Sequence, residues 1–315
     1  MQAAVVDRYG APDVVRVADV PRPTARADEV LVRVKAVAVT SADARIRGAR
    51  FPKGFAPFAR LAFGVFRPRR RILGSSFSGE VEEAGSRVRG FTPGDQVCGM
   101  TGLRLGAHAE YVSVPVKKIA PKPPDVSHDD AAGLLFGGTT ALYFLRDKAS
   151  VTPGMSVLVN GASGAIGTNA VQLAKHFGAT VTGVTSGSNA DLVTKLGADQ
   201  VIDYTHVDLG DITEKFDAVL DTVGNLSIAS GRRLLNPRGV LLLAVAGLSE
   251  TLRARGNVRT GTTPERVEDF RLLLQLLANG DISVVHDQVD GLAGVVEAYR
   301  TVDSGHKVGN LVIRL

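Results

Sequence analysis

Sulfur and large aromatic side chains are scarce in this chain. Of its 315 residues one is cysteine, three are methionine, none is tryptophan, and aromatic residues make up 5%. The lone Cys98 excludes an internal disulfide framework and a structural zinc held by four cysteines. No apolar run approaches membrane-spanning length, and the N-terminus lacks the apolar centre of a secretory signal. A reducing cytoplasm is therefore the expected setting, with no membrane partner. Net charge is only +5. The basic run Arg67–Arg71 has no nucleic-acid motif or interleaved aromatic platform, so it reads as a solvated loop or a patch beside an anionic cofactor, and no nucleic-acid partner is expected. Hydrophobic residues reach 44% against 22% charged, and the length suffices for two domains with separate cores.

Glycine, by contrast, is plentiful, with 35 residues, and its placement is informative. Residues 157–167 read VLVNGASGAIG: a buried-strand run, a turn punctuated by Gly161, Gly164 and Gly167, then apolar residues at helical spacing through Ala170, Leu173, Ala174 and Phe177. A strand–turn–helix of this kind suits a dinucleotide. Missing Cβ atoms let the backbone approach the pyrophosphate, and the first N–H groups of the helix point at it. Backbone contacts are expected from Gly164, Ala165 and Ile166.

The next strand, Thr180–Ser186, bears on which dinucleotide binds. A free ribose 2′-hydroxyl usually meets an Asp or Glu at the end of this strand. The residues there are Thr185, Ser186, Gly187, Ser188 and Asn189. With no carboxylate in that segment, Ser186, Ser188 and Asn189 are expected to bond a 2′-phosphate, and NADP(H) is the expected cofactor. No Arg or Lys occurs in the same segment.

Residues 1–120 alternate apolar and polar positions in short runs with frequent turns, as a compact β barrel does. The stretch from Phe51 to Arg71 interrupts this pattern and holds five phenylalanines. It reads as buried core, a helical flap, or the apolar wall of a substrate pocket, with Phe51, Phe55 and Phe58 as the pocket candidates. After about residue 124 the pattern becomes helical, with a helix pair expected to break at Gly137–Gly138. From Ser156 strands and helices alternate, which predicts a doubly wound parallel sheet. The expected fold class is α/β, with a catalytic β domain over 1–123 and 286–315 and a Rossmann cofactor domain over 124–285.

An ordered set of motifs spans nearly the whole chain: VTSADARIRG (39–48), LGSSFSGEVEEAGSRVRGFTPGDQVCG (73–99), GAHAEYVSV (106–114), GGTTALYFL (137–145), the glycine turn with its helix (157–175), LGADQVIDY (196–204) and KVGNLVIRL (307–315). In these motifs the chain resembles the zinc-independent quinone oxidoreductases of the medium-chain dehydrogenase/reductase superfamily. The resemblance implies a GroES-like β barrel completed by the C-terminal tail, with the Rossmann domain inserted and the active site in the cleft. It implies cofactor contacts from Thr140, Tyr204, Lys307 and Asn310. Val223, Gly224, Ala246 and Gly247, at the ends of the later strands, are expected to flank the nicotinamide. Two positions depart from the family. Thr40 and Ser41 precede Asp43 where many members carry Asn-Pro, and Ser75 and Ser76 stand where an acid is frequent.

Zinc chemistry of the alcohol dehydrogenase branch needs a Cys near Thr40 and a His-Glu pair near Ser75–Ser76. Neither is present, so no metal is expected. Without a metal or a dedicated base, alcohol oxidation is difficult, whereas a quinone or enone provides its own electron sink. The expected function is NADPH-dependent reduction of quinones or α,β-unsaturated carbonyl compounds, with Thr40 as the catalytic hydroxyl. Competing readings are an alcohol dehydrogenase or enoyl reductase, and an idle NADPH-binding sensor or nucleic-acid-binding relative. The apolar run Gly239–Gly247 reads as an edge strand through which two copies join, so a homodimer is expected.

Overall fold

The computed structural model describes residues 1–315. The alternating runs of the N-terminal third form a mostly antiparallel seven-stranded sheet. Its organising strand is Glu29–Ala38, which pairs with Ser76–Ala84 on one side and with Tyr111–Pro115 and Asn310–Arg314 on the other. Gln96–Met100 and Ile119–Pro121 extend the sheet beyond Ser76–Ala84. The C-terminal strand enters with Val312 opposite Ala38, and His286–Asp290 lies parallel outside it. The tail thus completes the sheet begun by the first hundred residues. Val32, Val34, Phe77, Val97, Val112 and Ile313 are among the buried side chains of its core.

Residues 156–259 build a parallel six-stranded sheet in the order Gln200–Asp203, Thr180–Thr185, Ser156–Asn160, Phe216–Asp221, Leu235–Leu243, Val258–Arg259. The direction of winding reverses between Ser156–Asn160 and Phe216–Asp221, where open α/β sheets leave a crevice at their carboxyl ends. The period of two distributes apolar groups to both faces. Val157 and Val159 join one core, and Leu158 joins the other.

Four features depart from the sequence reading. Gly137 and Gly138 do not break a helix. His128–Leu142 is continuous and runs into a π-helical turn over Tyr143–Lys148. A Cβ on Gly137 would run into the Ala165 carbonyl and lie 2.9 Å from Asn169 Nδ2. Glycine there permits close packing against the helix Ala165–His176, which outweighs its propensity cost of about 1 kcal/mol. Second, the apolar run around Gly239 is not the sheet edge. Leu235–Leu243 pairs outward with Val258–Arg259 through Leu241 and Leu242, so the edge is a two-residue strand. Third, Val267–Ala278, a helix the reading did not name, buries Phe270, Leu273, Leu274 and Leu276 at its 3.6-residue period. Fourth, the cores do not separate at residue 124: Cys98, Met100 and Ala120 share a cluster with Leu134, Val157 and Leu273. Helix His128–Leu142 is capped by Ser127, whose hydroxyl accepts from the Asp130 N–H at 3.0 Å, and it packs between the antiparallel sheet and the helices Ala165–His176 and Val267–Ala278.

Candidate active site

A cleft of about 1250 Å³ runs between the two sheets. One wall comes from the end of Glu29–Ala38, the turn Val39–Ser41 and the tail segment around Lys307–Leu311. The other follows the carboxyl ends of the parallel strands: residues 160–161 and 163–166, 185–186 and 188–189, 204 and 207–210, 222–223 and 225–226, with Ser230 and Arg233 beyond.

The glycine turn is shaped for an anion. Helix Ala165–His176 starts at Gly164, which has no side chain to cap the first N–H groups. A Cβ built on Gly164 meets only the Gly161 carbonyl oxygen, at 3.5 Å, so glycine at this position leaves room on the cleft side. Gly167 serves a different purpose. Its Cβ would collide with the Gly161 carbonyl and lie 2.7 Å from Ala162 Cα, so it holds the turn against the helix. The tail is fastened to this turn, with Gly309 N–H donating to the Ser163 carbonyl at 2.8 Å.

Polar side chains gather at the end of Thr180–Thr185. Thr185 Oγ1 donates to Ser163 Oγ at 2.8 Å, Ser186 and Ser188 share a hydrogen bond at 2.9 Å, and Asn189 Nδ2 donates to Ser186 Oγ at 3.1 Å. Tyr204 lines the same part of the cleft and is half exposed. Two neighbours there were not evident from the sequence. Arg233, at the end of helix Ile228–Arg233, brings a cation to the cleft wall from 45 residues beyond Ser188. Asp203, in the adjacent strand, puts Oδ2 2.5 Å from where a Gly187 Cβ would stand. The hydroxyl and backbone N–H of Thr205 hold its carboxyl down at about 2. A carboxylate therefore stands behind a segment that has none of its own.

The reversal point of the sheet carries a buried network. Asp221, fully buried, accepts the N–H groups of Val223, Gly224 and Leu226, each at 3.0 Å, and the Asn160 amide at 2.9 Å. Asn160 also donates to Asn225 Oδ1 at 2.6 Å. These bonds shape the 222–226 wall. The sequence signal was an Asp closing a strand just before a Gly-Asn turn.

Thr40 reaches the cleft and is buried, but as the N-cap of helix Ser41–Gly48. Its hydroxyl donates to Asp43 Oδ2 at 2.6 Å and accepts from the Asp43 N–H at 3.2 Å. The capping box thus occupies the hydrogen that the catalytic reading of Thr40 requires. Exposed Ser41, the next residue, also lines the cleft. Lys307 lies on the tail wall, where burial lowers its ammonium to about 8 and its Nζ donates to the Gly309 carbonyl. Buried Asn310 beside it directs Nδ2 to the Val285 carbonyl at 3.1 Å.

The cleft therefore brings together Thr40, Gly164, Ala165, Ile166, Ser186, Ser188, Asn189, Tyr204, Val223, Lys307 and Asn310. It does not include Thr140, Gly224, Ala246, Gly247, Phe51, Phe55 or Phe58. Thr140 turns its hydroxyl back to the Phe136 carbonyl at 2.8 Å, and Phe136 one turn earlier takes the cleft position. Gly224 packs on Val245, Ala246 packs on the core of the parallel sheet, and Gly247 abuts the Lys53 carbonyl. Phe51 stacks on Phe63 with ring centroids 6.0 Å apart, and Phe58 faces outward. No three His, Cys, Asp or Glu side chains form a group able to hold a metal. Cys98 is buried, which raises its thiol to about 12.

Comparison with known proteins agrees with this architecture. Residues 26–124 match the family described as alcohol dehydrogenase GroES-like domain, and residues 196–313 match the family described as zinc-binding dehydrogenase. The chain lacks a ligand set for the metal in that second description. It is 30% identical to the mitochondrial NAD(P)H oxidoreductase RTN4IP1 of Danio rerio, over 100% of this chain and 91% of that protein. It is 35% identical to the 2-methylene-furan-3-one reductase of Solanum lycopersicum over 71% of this chain, but the match spans only 57% of that protein. The solved quinone oxidoreductase from Coxiella burnetii superposes with a TM-score of 0.91 at 30% identity, covering 100% of this chain and 99% of that one. With its GroES-like sheet, its parallel cofactor-type sheet and the cleft between them, the chain belongs to the quinone oxidoreductase-like family of the medium-chain dehydrogenase/reductase superfamily and is an oxidoreductase.

Proposed function

We propose that this chain is an NADPH-dependent, metal-independent reductase of quinones or α,β-unsaturated carbonyl compounds. The observation that carries the reading is the single cleft. It joins an uncapped helix N-terminus with open space at Gly164, a cluster of hydroxyl and amide groups at 186–189, and the polar turn at Thr40–Ser41. In this reading the N–H groups following Gly164 hold the pyrophosphate, with Lys307 as the nearby cation. Ser186, Ser188, Asn189 and Tyr204 meet the adenosine ribose and its phosphate, and Arg233 adds positive charge at that end. Asp221 acts through the turn it organises, setting the wall at Val223 beside the nicotinamide. When bound, the nicotinamide supplies the reducing equivalent. At the acceptor end, Ser41 and the start of its helix offer donors toward a developing oxyanion, and Thr40 orients that helix through Asp43. The hydroquinone or enol oxygen takes its proton from solvent.

Relatives support the chemistry by name: 28% identity to a quinone oxidoreductase of Pseudomonas aeruginosa over 97% of both chains, and 32% to a chloroplastic NADPH-dependent alkenal/one oxidoreductase of Arabidopsis thaliana over 71% of this chain but only 58% of that protein. Steady-state NADPH and NADH oxidation against a panel of quinones and enones tests the proposal. NADPH should be used at lower KM, and at least one acceptor class should turn over. Tighter use of NADH, or no turnover with any acceptor, overturns it. The reading extends to a homodimer joined at the outer strand Val258–Arg259. Light scattering that shows a monomer at micromolar concentration removes that part.

A further inference from the structure

The segment between helix Ser41–Gly48 and strand Ser76–Ala84 has a composition that the cleft does not use. Helix Ala56–Phe63 buries none of its residues, although Arg60 is its only charged side chain. Phe58 is 63% exposed, Leu61 65%, Val65 44% and Phe66 92%, which places four of the chain's ten exposed large hydrophobic residues within nine positions. Leu252 is a fifth, on helix Leu248–Arg253. That helix begins where the Leu248 N–H donates to the Lys53 carbonyl at 2.8 Å.

This apolar surface is held in place. Phe51 and Phe63 stack beneath it, the Tyr9 hydroxyl donates to the Gly64 carbonyl at 2.6 Å, and the Arg69 N–H donates to the Phe63 carbonyl at 2.7 Å. Its charge is one-signed. Between Asp43 and Glu80 the chain has nine Lys and Arg residues and no carboxylate. Arg60 lies over the Tyr9 ring and Arg71 pairs with Asp7, whereas exposed Arg67, Arg69 and Arg70 make no ion pair. A rigid apolar ridge bordered by free guanidinium groups matches an interface with a buried apolar layer and an anionic surface.

We propose that residues 56–71 dock this protein on an anionic lipid bilayer, with Phe58, Leu61, Val65 and Phe66 entering the headgroup boundary and Arg67, Arg69 and Arg70 meeting lipid phosphates. This departs from the expectation of no membrane partner. It involves no spanning segment, and no helix of the chain is long and apolar enough to cross a membrane. Nucleic acid would engage the arginines but leave the ridge exposed, and a second copy of this chain would bring like charges together.

The test is co-sedimentation of the full chain with phosphatidylcholine vesicles, with and without about a third phosphatidylglycerol. Binding should need the anionic lipid and weaken in high salt. The Leu61→Ser/Phe66→Ser variant should lose at least about tenfold in vesicle affinity, because both side chains supply buried apolar area. Arg69→Gln and Arg70→Gln should each cost about fivefold. All these positions are exposed and outside the cleft, so melting temperature and reduction of a water-soluble quinone should stay at wild-type values. Vesicle binding that is absent, indifferent to anionic lipid, or unchanged in Leu61→Ser/Phe66→Ser overturns the proposal. So does tighter binding to duplex DNA than to vesicles, or self-association that the same variant abolishes while vesicles remain unbound.

Discussion

The two glycines of the cofactor turn, three residues apart, should respond oppositely to substitution. At Gly164 the backbone is extended, with φ −81° and ψ 177°, which any residue adopts, and its Cβ position faces only the Gly161 carbonyl at 3.5 Å. Gly164→Val therefore costs about 1 kcal/mol as a poorer N-cap. It recovers about 0.4–1 kcal/mol by restricting the unfolded chain. The melting temperature should move by less than about 3 °C. The added side chain occupies the space proposed for the pyrophosphate and displaces at least one charge-assisted hydrogen bond, a loss of roughly 1.5–3 kcal/mol. That corresponds to an NADPH dissociation constant raised roughly 10- to 150-fold. Gly167→Ala places a methyl group against backbone atoms of Gly161 and Ala162 that cannot rotate away. It should cost about 3 kcal/mol and lower the melting temperature by roughly 6 °C or more. Fluorescence titration with NADPH and thermal denaturation read the two effects separately. If Gly164→Val binds with wild-type affinity, or melts as early as Gly167→Ala, the assignment of these two roles is wrong.

Three further outcomes are expected. Asp221→Ala leaves the buried Leu226 N–H and the Asn160 amide without their acceptor and loosens the exposed Val223–Gly224 backbone, and should destabilise by about 2–4 kcal/mol in denaturant titration, with Asp221→Asn milder. Burial holds Lys307 at about 8, so NADPH affinity should fall as pH rises through 8, and Lys307→Met should flatten that profile. Stability runs the other way. The unfolded lysine, at about 10.4, binds more protons than the folded one between pH 8 and 10.4, so the cost of burying Lys307 is fully present below 8 and relieved as pH climbs. Elemental analysis should find no stoichiometric zinc, and a chelator should leave activity and melting temperature unchanged, since no three ligand-type side chains converge.

Local pattern carried much of this protein into view. The VLVNGASGAIG turn, the alternating strands on either side of the cleft and the single cysteine are properties of neighbours along the chain. Dihedral freedom, side-chain period and residue count act there without reference to distant partners. What depended on folding was the company each residue keeps. Gly137 resembles a helix breaker until Ala165 is brought against it. Thr40 resembles a free hydroxyl until helix Ser41–Gly48 forms and Asp43 takes its proton into a hydrogen bond. The segment 185–189 has no carboxylate of its own, yet Asp203 arrives beside Gly187 on the adjacent strand, and Arg233 reaches the same wall from a later helix. Phenylalanines that composition suggests for a pocket lie partly on the outside, because Phe63 and Phe51 satisfy each other beneath them. Pairing across strands and between helices is set by long-range packing, which no window of the sequence contains.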